Sequence, residues 1–97
     1  MKPDEHLEVC KVLFQERGAV YGENYKKVPA ALKALFPDGL TLNTLGDFER
    51  FYLLCFNLSK IGRYANNINR GGHMDSAMDL VTYASMLASV TKEPERG

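Results

Sequence analysis

The chain has 97 residues, 45% of them apolar and 25% charged, which is enough for one small domain and unlike a disordered segment. Twelve basic and twelve acidic side chains cancel, so there is no overall field to draw in DNA, RNA or an anionic membrane, and no Lys/Arg run acts as a local substitute. Polymeric nucleic acid and membranes are therefore not expected partners.

The chain opens on Met1-Lys2-Pro3-Asp4-Glu5-His6, polar residues without the apolar run of a signal peptide or membrane span, which predicts a cytoplasmic protein. Pro3, Asp4 and Glu5 suit a helix start, because proline is tolerated in the first turn and carboxylates favour the positive end of the dipole. Leu7, Cys10, Leu13 and Phe14 supply an apolar stripe, widened by Val9 and Val12, and Gly18 is the first stop signal. A first helix is expected from about Asp4 to Arg17. The segment 18–25 holds two glycines and two tyrosines and reads as a turn with aromatic anchors, or as a plain loop.

Val28, Ala31, Leu32, Leu35 and Phe36 follow the helical template, with Pro29 acceptable only near the start. Phe36-Pro37-Asp38-Gly39 ends that second helix with turn chemistry. Asn43 or Thr44 can cap a third, in which Phe48, Phe51, Tyr52, Cys55, Leu58 and Ile61 are apolar or aromatic and Leu53, Leu54 and Phe56 fill other faces. So broad an apolar surface predicts a helix, running to about Ile68, that is either central or covered further by a partner subunit. Arg70-Gly71-Gly72 is a break, and a last helix follows from His73 or Asp75. No segment has a strand pattern. The expected architecture is a single all-α domain over residues 1–92, a small bundle of about four helices that forms a homo-oligomer, with a frayed tail over 93–97. Cys10 and Cys55 sit in apolar patterns without zinc or C-x-x-C spacing, which predicts buried thiols in a reducing compartment, with an interhelical disulfide as the alternative.

The chemistry is concentrated towards the C-terminal half. Lys60, Arg63 and Asn67 recur at i, i+3 and i+7 as one polar stripe on an otherwise apolar helix. Such cations need a counter-charge. A phosphate would supply it, with Arg63 as a fork of donors and Lys60 as a point charge. A solvated face is the ordinary alternative. Asp75 and Asp79 are four apart and would repel each other on one helical face unless a cation lies between or opposite them. That cation is either a divalent metal such as magnesium, or Lys60 and Arg63. Asp75 also suits the first turn of a helix for its own sake. His73 beside Gly-Gly is either a phosphate donor, a metal ligand or a cap. Tyr21, Tyr25, Tyr64 and Tyr83 can stack on a nucleobase or fill a core. No Walker loop and no G-x-G-x-x-G occurs.

Taken together, Arg17-x-x-x-Tyr21-Gly22, Lys60-x-x-Arg63-Tyr64 and His73-x-Asp75-x-x-x-Asp79-Leu80-x-x-Tyr83-Ala84 resemble the nucleotide-modification-associated and related domains of short bacteriophage proteins. Those domains are themselves distantly similar to the MazG-like all-α nucleoside triphosphate pyrophosphohydrolases. The resemblance covers about residues 10 to 90. It implies a bundle that oligomerises through its apolar helices and binds a nucleotide phosphate. In the MazG-like enzymes a Glu-Glu-x-x-Glu cluster and a second acidic pair hold magnesium. Asp75 and Asp79 match the second pair, whereas the first cluster has no counterpart, the middle helix carrying basic Lys60 and Arg63 further along. This departure ranks binding above hydrolysis. The expected ligand set is Arg17, Tyr21, Lys60, Arg63, Tyr64, Asn67, His73 and Tyr83, with Asp75 and Asp79 as metal ligands in the enzymatic alternative. The leading expectation is a phage sensor or anti-defence sponge for a small, linear or cyclic nucleotide. A magnesium-dependent pyrophosphohydrolase and a ligand-free interaction protein are the alternatives.

Overall fold

A computed structural model describes residues 1–92 and, within them, all side chains except those of residues 18–21. The helices are α1 (Pro3–Tyr21), α2 (Asn24–Leu35), α3 (Leu45–Asn66) and α4 (Met74–Ser89), with a short 3-10 turn over Ile68–Arg70. Among the described residues there is no strand, so the all-α expectation holds, and no helix there is long and apolar enough to cross a membrane. The tail expected over 93–97 lies outside the described residues.

The first helix does not stop at Gly18. It runs on to Tyr21 and is ended by Gly22, whose φ of 61° is the left-handed conformation that closes a helix. A helical glycine costs about 1 kcal/mol against alanine but does not by itself break a helix. Pro29 also falls inside α2 rather than in its first turn. The carbonyl of Tyr25 therefore lacks its helical donor, which is tolerable because both residues are exposed.

Of the two cap candidates, Thr44 caps α3. Its hydroxyl accepts from the Asp47 backbone N–H at 3.1 Å, while Asp47 Oδ2 accepts from the N–H groups of Thr44 and Asn43, each at 3.1 Å. The other carboxylate oxygen takes Arg50 Nη2 at 2.8 Å, and Arg50 Nη1 donates to the Val90 carbonyl at 2.9 Å. One guanidinium thus joins the start of α3 to the end of α4. At the opposite end Gly71 and Gly72 have φ of 93° and 85°, and the Gly72 N–H donates to the Asn67 carbonyl at 2.8 Å. The α3–α4 pair is an antiparallel hairpin closed at both ends.

Helix α2 docks on α3 through a polar contact at a small residue. Asn24 Nδ2 donates to the Ser59 carbonyl at 2.7 Å, and its Oδ1, buried without a hydrogen-bond partner, faces Gly62, whose Cα–H offers a weak donor. A Cβ at position 62 would collide with that amide.

The single chain has little interior. Among the described residues Leu53 is the one buried apolar side chain, beside buried Asn57, Asn67 and Ser76. The radius of gyration is 16.9 Å, against about 12–13 Å for a compact domain of this length. Every described side chain of α1 is exposed, Cys10 included, contrary to the buried thiol expected there. Of the α1 stripe, Phe14 meets Tyr25 of α2, while Leu7 and Leu13 remain exposed. Cys10 and Cys55 are both free thiols, and burial pushes that of half-buried Cys55 above its usual value.

Two outcomes test these contacts. The two backbone donors, Thr44 first and then Asn43, hold Asp47 at about 2 against an ordinary 3.8, helped by Arg50. Its contribution is therefore complete above the unfolded value and is lost as the pH falls from 3.8 through about 2. Thermal melts of the wild type and Asp47→Asn across that window should converge as the pH drops. In urea unfolding, Gly62→Ala should cost about 1–3 kcal/mol by forcing α2 off α3.

Candidate functional site

The structure sorts the residues singled out in the sequence into three places. Lys60, Asp79 and Tyr83 meet on the α3–α4 seam. Lys60 Nζ lies 3.0 Å from Asp79 Oδ2 and 5.9 Å from the centre of the Tyr83 ring, which stacks on Phe56 at 5.0 Å and 23°. Tyr52 meets Phe56 edge-on at 4.7 Å. The Lys60 side chain is only 12% exposed and that of Asp79 46%. Asp79 therefore supplies the counter-charge that a mostly covered ammonium requires.

Tyr64, Asn67 and His73 gather at the α3–α4 turn. The Tyr64 ring lies against Gly72, where a side chain would overlap it. Asn67 Nδ2 donates to the Arg63 carbonyl at 2.7 Å, closing the last turn of α3. His73 is the N-cap residue of α4, and its Nδ1 lies 2.6 Å from Ser76 Oγ, the most buried polar group of the hairpin. Each of these three side chains has a structural contact in the turn.

Asp75 stands exposed in the first turn of α4, where the helix dipole favours it. Asp79, one turn on, is engaged by Lys60. Among the described residues no group of three or more His, Cys, Asp or Glu side chains converges as a metal site. The donor set does not fit a magnesium centre built from several carboxylates.

The third place is a cleft of about 320 Å³ between α1, the start of α2 and the C-terminal half of α3. Arg17 enters it from α1 and Arg63 from α3, with Phe14 and Tyr25 as an aromatic wall and Asn24 and Ser59 at its polar side. Phe14 and Tyr25 meet edge-to-face at 6.0 Å and 61°, and Lys26 Nζ lies 5.7 Å from the Tyr25 ring centre. None of the described lining residues is acidic. The left-handed turn at Gly22 redirects the chain between α1 and α2, and Arg17 of α1 lines one cavity with Arg63 of α3. The side chain of Tyr21 lies outside the described residues.

The polar stripe named Arg63 and the resemblance named Arg17, but neither pointed to Asn24 or Ser59, which line the cleft because they form the α2–α3 contact. Phe14 read as part of a core stripe. No signal in its periodicity separates a core aromatic from one that walls a cleft. Compared with family models, curated proteins and solved structures, the chain matches none.

The Lys60–Asp79 pair predicts an asymmetric response. Asp79→Asn strands a covered ammonium and should destabilise by about 1–2 kcal/mol, whereas Lys60→Met, which frees a half-exposed carboxylate, should cost less than about 1 kcal/mol. Urea denaturation of both variants and the double variant measures the difference.

Proposed function

We propose that the chain binds a small phosphorylated molecule with an aromatic ring, of the nucleotide class, in the cleft between Arg17 and Arg63, and retains it unchanged. The observation that carries this is that two arginines from different helices line one cavity with an aromatic wall and no described acidic lining residue. Guanidinium forks suit phosphate oxygens, and the cavity volume falls in the range of small-ligand sites. Phe14 and Tyr25 present the apolar surface that a base needs, with Ser59 at the polar side of the cleft. In an infected cell a phage-encoded chain of this kind acts as a sensor or as a sponge that withholds a signalling nucleotide from host defence. The motif resemblance supports that setting.

A magnesium-dependent pyrophosphohydrolase of the MazG-like type is the second reading, favoured by Asp75 and Asp79 sharing a face of α4. The engagement of Asp79 by Lys60 and the missing acidic cluster weigh against it.

Incubation with magnesium and a panel of linear and cyclic nucleotides, followed by chromatography of the solution and of ligand released on denaturation, separates the two. Recovery of one unchanged nucleotide from the protein is expected. Release of monophosphate and pyrophosphate would instead establish hydrolysis. In calorimetric titration Arg63→Ala should weaken binding by about 10- to 100-fold, as expected for loss of a charge-assisted hydrogen bond. Arg17→Ala should have a smaller effect because Arg17 is exposed, and Lys60→Met should leave the affinity unchanged.

A further inference from the structure

The cleft between α1, α2 and α3 limits its ligand in three ways. Its volume of about 320 Å³ lies at the low end of the roughly 300–1,000 Å³ of small-molecule sites, which suits one nucleoside and is small for two joined ones. Its aromatic wall is Phe14 and Tyr25, inclined at 61° to each other, so a planar base can lie flat on only one of them at a time. Its charge is set by Arg17 and Arg63, with no described acidic lining residue. Neighbouring cations do not add to it. Lys60 is engaged by Asp79 in the α3–α4 seam, Lys26 lies over the Tyr25 ring, and neither lines the cavity.

Two guanidinium charges are matched by a phosphate monoester, which carries close to two negative charges at neutral pH, its second ionisation falling at about 6. A cyclic phosphate carries a single charge and neutralises only one of the two arginines. A triphosphate carries more charge than two cations balance and draws on magnesium to make up the difference. Among the described residues no group of three or more His, Cys, Asp or Glu side chains is placed to share such an ion. Resting on the reading of the cleft given above, we propose that its ligand is a nucleoside monophosphate, one base with one terminal phosphate monoester, held by Arg17 and Arg63 without a divalent metal.

Calorimetric titration with AMP, GMP, CMP and UMP, with the 3′,5′-cyclic form of each, with ATP and with cyclic di-AMP tests this. At neutral pH one of the four monophosphates should bind at least about tenfold more tightly than any cyclic form or ATP, the size expected of one charge-assisted hydrogen bond. Its affinity should be the same in magnesium and in EDTA. The ionisable groups lining the cleft are those of Cys10, Arg17, Tyr25 and Arg63, with neither a histidine nor a carboxylate among them. A change in affinity between about pH 7.5 and 5 therefore belongs to the ligand: the monophosphate should weaken by about tenfold as it takes up its second proton, and the cyclic form of the same base should not. In Arg17→Ala, a change at an exposed position, the preference for the monoester over the cyclic form should disappear. A cyclic form, ATP or cyclic di-AMP binding as tightly as the best monophosphate, a requirement for magnesium, a flat pH profile, or a preference that survives Arg17→Ala would each overturn this inference while leaving the nucleotide cleft standing. No binding of any of these probes overturns both.

Discussion

Everything on the N-terminal side of the molecule depends on the close approach of α2 to α3 at Gly62. The absence of a side chain there lets the Asn24 amide reach the Ser59 carbonyl at 2.7 Å. That contact fixes the start of α2, the start of α2 fixes the turn at Gly22, and the turn fixes where α1 departs. Arg17 and Arg63 line one cleft only because this sequence of placements holds. A net gain of about 1 kcal/mol for the hydrogen bond itself is modest, but its position decides the direction of a whole helix.

The α3–α4 hairpin is the other half of the design and is built differently. Its seam holds little buried hydrocarbon, with Leu53 accompanied by Asn57 and Ser76. Order comes instead from capping, from the two left-handed glycines, from the Phe56–Tyr83 stack and from Lys60 lying against Asp79. Polar contacts of this kind fix register more than they add stability, which agrees with a hairpin in which Leu53 is the one described apolar side chain that is buried.

Much of this was legible in the sequence. The helical periodicities, the Thr44 cap with Asp47 three residues on, and the Gly71-Gly72 break located the helices, and the breadth of apolar residues in α3 announced its central place. The division of the polar stripe was not legible. Lys60 and Arg63 are three apart and so differ by about 60° around the helix axis, too little to separate them on a helical wheel. On a helix flanked by α4 on one side and by α1 and α2 on the other, that angle puts one residue in the hairpin seam and the other in the cleft. The length of α1 was misjudged because a glycine inside a helix and a glycine ending one look alike until φ is known. The exposure of α1 was hidden for another reason: an apolar stripe does not state how much of it the rest of the chain covers.

Arg50 ties the Asp47 carboxylate at the beginning of α3 to the Val90 carbonyl at the end of α4, while the glycine turn joins the other ends. A hairpin pinned at both extremities has no free end from which to fray. Its backbone amides should exchange with deuterium together, in one cooperative opening, and more slowly than those of the first ten residues of α1 in a single chain. The molecule thus divides into a doubly pinned hairpin and an α1 whose described side chains are all exposed.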